Sequence, residues 1–260
     1  MRATRKPDGS AGDADYGAIG TGYAKFRRPD PRIAAVIRAA LGDVASVLNV
    51  GAGAGSYEPD DLQVTAVEPS ATMRAQRPSH LTTALDAFAE ALPFEDDRFD
   101  AAMALVTVHQ WSDLRTGLKE MRRVARGPVL VMTADPVALG RFWLGRYAPE
   151  AISVEASRMP PLEQIVYGLG GDGEVVSVPI PFDCCDGFNE AYYGRPERLL
   201  DPAARQACSS WSFIGPAATA RFVAALEGDL ASGAWDAEWG ALRTIAAFEG
   251  SLRLVISRRN

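Results

Sequence analysis

Cysteine is scarce in this chain, with three in 260 residues. Cys184 and Cys185 are adjacent, a poor geometry for an ordinary disulfide, and Cys208 stands apart. The three form neither a disulfide framework nor a metal-spaced set, so reduced thiols and a cytoplasmic location are expected. A basic excess is missing too: 27 Lys and Arg stand against 33 Asp and Glu, for a net charge of −6. That excludes nucleic acid as the expected partner, because binding phosphates needs a basic face. It also gives no reason to expect an anionic membrane surface. No apolar run approaches the roughly 20 residues that span a bilayer. The N-terminus lacks the apolar core of a signal peptide. Histidine occurs only as His80 and His109. No internal repeat is visible.

What the chain does have is a hydrophobic content of 47%, enough for one large α/β domain with an embellishment. Its organising stretch runs from Ser46 to Glu68. Val47, Leu48 and Val50 suit a strand covered on both faces. Gly51, Gly53 and Gly55 alternate with Ala52 and Ala54 in a tight turn. Glycine is needed where a ligand approaches the backbone or where φ is positive. A second apolar run ends in Glu68, whose carboxylate can accept both hydroxyls of a ribose lying across the turn. Ligands of open α/β sheets bind at the carboxyl ends of strands, where both features lie.

Residues 1–15 are polar and read as a disordered tail, and residues 16–42 as an N-terminal lid and first helix. Asp30 and Pro31 open that helix, Ile33, Val36, Ile37, Ala40 and Leu41 repeat at helical spacing, and Gly42 stops it. The span 43–135 reads as the binding core. Ser70 caps a short helix holding Met73. A weak strand is expected around Leu81 to Leu85, and the strongest at Ala101 to Val106. Ser112 is expected to cap a helix with Leu114, Leu118 and Met121 on one face, followed by a strand at Val129 to Met132. Alternating strands and helices with right-handed crossovers give a parallel sheet covered on both sides. Residues 136–250 read as the rest of the core with an aromatic-rich helical cap, including a sixth strand at Val175 to Pro181. Residues 251–260 hold the last strand, Leu252 to Ser257, and a tail. The fold class expected is a Rossmann-like, doubly wound, mostly parallel seven-stranded sheet with an antiparallel edge strand, in one domain overall.

The order of motifs resembles the class I S-adenosylmethionine-dependent methyltransferases. More narrowly, it resembles the small-molecule branch that includes the ubiquinone/menaquinone-pathway and trans-aconitate enzymes. The matching residues are Asn49 to Gly55, Val67 to Ser70, Ala89 to Phe94, Phe99-Asp100, Val106 to Trp111 and Leu118 to Val124. The resemblance covers roughly Tyr23 to Asp135. It implies S-adenosyl-L-methionine as cofactor. It also implies that Gly51, Ala52, Gly53 and Gly55 bring backbone against the methionine part. Glu68, with Pro69, holds the ribose, and Met73 packs on the adenine. Ala89 and Glu90 lie at the adenine edge. Leu105 and Val106 lie near the sulfonium, and Tyr23 and Arg28 close over the carboxylate. Two positions depart from the family: Asn49, an amide that can still hydrogen-bond the amino-acid end of the cofactor but adds no charge against its ammonium, stands where Asp or Glu is usual, and Phe88 stands where Asp often lies beside the adenine.

His109 leaves the carboxyl end of the strongest strand, where the transferred methyl should point. It is a candidate catalytic base, and the alternative is a wall of the pocket. Tyr16, His109, Trp111, Trp143 and Tyr192 are the candidate substrate contacts. Trp235 and Trp239, four apart on a helix, are expected in packing. The expected reaction is in-line attack by a small, partly apolar metabolite on the sulfonium methyl, which demands positioning and dryness rather than a reactive triad. Two other readings remain open. One is a protein that binds the same cofactor without methylating, as a sensor or cyclisation catalyst. The other is a nicotinamide-dependent oxidoreductase, which the Gly-x-Gly-x-Gly spacing and the lack of a Tyr-x-x-x-Lys pair disfavour.

Overall fold

A computed structural model of the chain describes residues 26–259. Tyr16 and Tyr23 lie outside the described residues. Helix α1 (Pro31–Leu41) starts where Asp30 accepts the Arg32 N–H and stops at Gly42, which has a positive φ of 70°. It buries Ile33, Ile37 and Leu41. Strand β1 (Ser46–Val50) leads to the glycine turn, and β2 (Gln63–Val67) pairs beside it in parallel. Ser70 caps α2 (Ala71–Ala75) by accepting the Met73 N–H at 3.3 Å. Next come β3 (Ala101–Leu105), α3 (Leu114–Val124) and β4 (Val129–Ala134).

The cap follows as α4 (Pro136–Leu139), α5 (Leu144–Tyr147) and α6 (Pro149–Arg158), and α7 (Leu162–Gly168) then packs beside α3 on the other face of the sheet. Strands β5 (Glu174–Ser177) and β6 (Ile180–Pro181) precede α8 (Pro202–Gln206), α9 (Pro216–Ser232) and α10 (Ala234–Trp239). Strands β7 (Ala247–Phe248) and β8 (Leu252–Ser257) end the described chain.

Among the described residues the main sheet has six strands, in the order β2-β1-β3-β4-β8-β5. β1 to β4 run parallel, and β8 runs antiparallel to both β4 and β5. Four expectations are corrected here. The weak strand around Leu81 makes only an isolated bridge, Val67 to Leu85, so the sheet has six strands rather than seven. The antiparallel strand is β8, which inserts between β4 and β5 instead of lying at the edge. The segment read as one strand from Val175 to Pro181 divides, because β6 leaves the main sheet to pair with β7. Asp113, not Ser112, caps α3 by accepting the Thr116 N–H at 3.0 Å.

Alternating residues of the parallel strands face two cores. Val47, Met103, Leu130 and Met132 pack with α1 and the cap, while Leu48, Ala102, Ala104, Val129 and Val131 pack with α3 and α7. Both faces are therefore dry, and polar backbone becomes accessible at the carboxyl ends of β1 to β4.

Candidate functional site

The glycine turn is tied to the end of β2. The Gly51 and Ala52 N–H groups both donate to the Val67 carbonyl, at 2.9 and 3.0 Å. Gly51 has a φ of +69°, and a Cβ there would fall 2.3 Å from Thr107 Oγ1. Only glycine fits that backbone. Glu68 closes the arrangement: its Oε2 accepts the Gly53 N–H and its Oε1 the Ser70 N–H, both at 2.8 Å. The carboxyl is 7% exposed, and burial raises its pKa, while those two N–H groups act against the rise.

A cavity with about 1520 Å³ of empty space, counting its open mouth, lies over these strand ends. One part is walled by Gly51, Ala52, Gly53, Glu68 and Met73. Leu105, Val106 and His109 border its middle. Val106 has a φ of +53°, which is rare for a β-branched residue, and its N–H donates to the Met132 carbonyl at 2.8 Å. The far part combines apolar Met132, Met159 and Phe188 with Glu155, Asp186 and Glu190. Glu190 is 3% exposed and accepts from the Ser251 N–H and hydroxyl. Burial pushes its carboxyl up to about 7. Asp186 pairs with Arg27 at 2.5 Å and accepts the Tyr57 hydroxyl at 2.9 Å. Cys208 also lines this part, and burial pushes its thiol up to about 12, which leaves it a poor nucleophile at neutral pH.

Of the residues singled out in the sequence, Asn49, Gly51, Ala52, Gly53, Glu68, Met73, Leu105, Val106 and His109 line this one cavity. Others sit elsewhere, for packing reasons. Gly55 has a φ of +94° and faces Leu81, which a Cβ would strike at 2.3 Å. Pro69 is half-buried behind Glu68 in the chain and does not line the cavity. Ala89 is buried in the core on the α3 side of the sheet. Glu90 accepts the Ser112 and Asp113 N–H groups, at 2.8 and 3.0 Å, and so anchors the start of α3. Trp111 packs against Gly117, where a Cβ would meet its ring at 2.5 Å.

Trp143 donates its ring N–H to the Tyr193 carbonyl at 2.9 Å and packs among Phe142, Tyr147, Trp235 and Trp239. Tyr192 is 4% exposed and belongs to the core. Arg28 is exposed, while its neighbour Arg27 lines the cavity. Sequence reading did not find Arg27, Tyr57, Glu155, Asp186 or Glu190. They come from distant segments, and apart from the basic pair at 27 and 28 they carry no local motif. Among the described residues, no cluster of His, Cys, Asp and Glu is arranged to hold a metal, and no helix is long and apolar enough to cross a membrane.

Comparison with known proteins gives a consistent family. Residues 48–130 match a methyltransferase domain. A malonyl-[acyl-carrier protein] O-methyltransferase of Pseudescherichia vulneris is 33% identical over 121 residues, covering 44% of this chain and 48% of that protein. A chloroplastic 2-methyl-6-phytyl-1,4-hydroquinone methyltransferase of Oryza sativa subsp. japonica is 29% identical over 111 residues, covering 39% of this chain and 32% of that protein. The match thus spans less than half the length of either curated relative. A crystal structure from Anabaena variabilis, provisionally assigned as a methyltransferase of an antibiotic biosynthesis pathway, superposes with a TM-score of 0.82 at 28% identity. It covers 90% of this chain and 99% of that one.

Proposed function

Because the chain carries a class I S-adenosylmethionine-dependent methyltransferase domain, we propose that it transfers a methyl group from S-adenosylmethionine to a small, partly apolar metabolite. The observation that carries this reading is Glu68. It is fixed at the end of β2 by the Gly53 and Ser70 N–H groups, at the rim of a cavity floored by the glycine turn. A carboxylate has about four lone-pair positions, so two remain for ribose hydroxyls after those bonds are made. The residues present fit the cofactor on other counts. The turn has no room for side chains at Gly51, and Met73 offers an apolar surface beside Gly53, 3.3 Å from where a Cβ would stand. Asn49 brings a buried oxygen without a hydrogen-bond partner among the described residues.

When bound, the cofactor supplies a methyl carried by a good neutral leaving group. The chain's part is to bind, align and exclude water. Glu68 holds the nucleoside end, and the backbone of the turn lies against the methionine part. Leu105 and Val106 border the place where the acceptor approaches, and Val106 is held in its unusual conformation by the bond to Met132. Alignment of this kind contributes about 7–11 kcal/mol in favourable cases. His109 stands beside Val106 on the cavity wall and would take the proton from an oxygen or nitrogen nucleophile of the acceptor. Met132, Met159 and Phe188 provide the apolar wall for that acceptor, and Glu155 and Glu190 its polar contacts. The test is incubation with S-adenosylmethionine and a library of small acceptors, followed by mass spectrometry. Formation of S-adenosylhomocysteine together with a product 14 mass units heavier than its acceptor, the difference of one CH₂ expected for methyl transfer, supports the reading. Failure of calorimetry to detect S-adenosylmethionine binding would end it.

A further inference from the structure

Asn49 stands on β1 one residue before its end and is 1% exposed. Its Nδ2 donates to Glu58 Oε1 at 2.9 Å, and its Oδ1 is buried with no hydrogen-bond partner among the described residues. Glu58 is not on a strand. It lies in the loop after the glycine turn, with its side chain 1% exposed. Arg77, whose side chain is 3% exposed, donates its Nη2 to both Glu58 oxygens, at 2.8 and 3.0 Å. The same guanidinium donates to the Thr82 carbonyl at 2.8 and 3.0 Å, and its Nη1 reaches the Gly53 carbonyl at 3.5 Å. The buried ion pair therefore braces the glycine turn from below.

The direction of the Asn49 amide follows from this pair. Turning its oxygen toward Glu58 would set two acceptors face to face, so the NH₂ must point at the carboxylate. The oxygen is then left over, in a side chain that lines the cavity. A buried acceptor without a donor is costly until a ligand supplies one. We propose that the Glu58–Arg77 ion pair is a positioning device, which locks the Asn49 amide so that its oxygen receives an N–H of the cofactor's ammonium group. This inference rests on reading the cavity as a cofactor site. It accounts for an amide at a position where the resemblance leads one to expect an acid: an acid at 49 would stand 2.9 Å from the Glu58 carboxylate. Arg77 already neutralises Glu58, so a second anion would have no buried partner.

The test uses calorimetry with two probes: S-adenosylhomocysteine, and methylthioadenosine, which lacks the amino-acid part. Glu58→Gln lets either end of the side-chain amide face Asn49, and the lock is lost. Affinity for S-adenosylhomocysteine is expected to fall about tenfold or more, while methylthioadenosine changes less than about twofold. Adding Asn49→Asp to Glu58→Gln is expected to restore binding to within about threefold, because a carboxylate accepts whichever way it turns and Arg77 regains an anion. Asn49→Leu, which keeps the ion pair intact, serves if Glu58→Gln does not fold. It should remain folded and lose S-adenosylhomocysteine selectively. Equal losses for both probes, no loss in either single variant, or no recovery in the double variant would overturn the inference. If the wild type binds neither probe, the cofactor reading itself falls, which is a different result from wild-type binding that the variants leave unchanged.

Discussion

Glu68 and Gly53 are joined across the site: the carboxylate Oε2 accepts the glycine N–H at 2.8 Å, fifteen residues back in the chain. The side chain expected to hold a ribose also fixes the loop that lies under it. Removing it should act on both. Glu68→Ala is expected to weaken S-adenosylmethionine binding at least about tenfold, since hydrogen bonds to a charged group contribute about 1.5–3 kcal/mol each. Calorimetry measures this directly, and unchanged affinity would remove the ribose role.

Gly51 tests the turn without touching a charged group. Alanine there must adopt a φ of +69° and place its Cβ 2.3 Å from Thr107 Oγ1. The left-handed backbone and the steric conflict together should cost about 2 kcal/mol. For a chain of this size that lowers Tm by about 4–8 °C. A thermal scan showing Gly51→Ala as stable as wild type would mean the turn is more pliable than its geometry indicates.

How far the sequence could be read depended on the range of the interactions. The ends of α1, the cap at Ser70 and the span of β8 were legible because local chemistry decides them: Asp30 before Pro31, a serine before a short apolar helix, and a run of Leu, Val and Ile. The part of the cavity floored by the glycine turn was legible because its residues lie in consecutive motifs. The part lined by Glu155, Asp186 and Glu190 was not. Arg27 meets Asp186 across 159 positions, and Glu190 meets Ser251 across 61. Trp143 and Tyr192 looked like pocket aromatics because pattern alone does not separate a buried ring from a lining one. The position of β8 between β4 and β5 was hidden for a similar reason, since its apolar pattern suits either an edge strand covered by helices or an interior one. Nothing in the identity of Val106 announced a positive φ, which the surrounding strands impose.

His109 offers a sharper kinetic test. It lines the cavity beside Val106, with Gln110 Nε2 3.5 Å from its Nε2. If it takes the acceptor's proton, His109→Ala should lower kcat by about 10²–10⁴. The affinity for S-adenosylhomocysteine should stay near that of the wild type. Turnover that survives the substitution on the true acceptor would leave His109 as a wall and nothing more.

The buried carboxyls make a prediction about pH. Burial holds Glu190 at about 7 against an ordinary value of 4.5, and it raises Glu155 and Glu68 in the same direction. An acid whose pKa is higher when folded binds its proton more tightly in the folded chain. Its contribution to stability is complete below about pH 4.5 and is lost as the pH climbs through 7. Asp100, held at about 2 by Ser46 and Arg126, and Asp30, lowered by Arg32, work the other way, but only in more acid solution. The ligand-free protein should therefore melt at a higher temperature at pH 5 than at pH 7.5. Glu190→Gln should flatten that slope, because an amide does not ionise and can still accept the Ser251 N–H. A Tm that rose between pH 5 and 7.5, with the same slope in the variant, would show that Glu190 ionises freely in the folded chain and that the far wall of the cavity is wetter than its packing indicates.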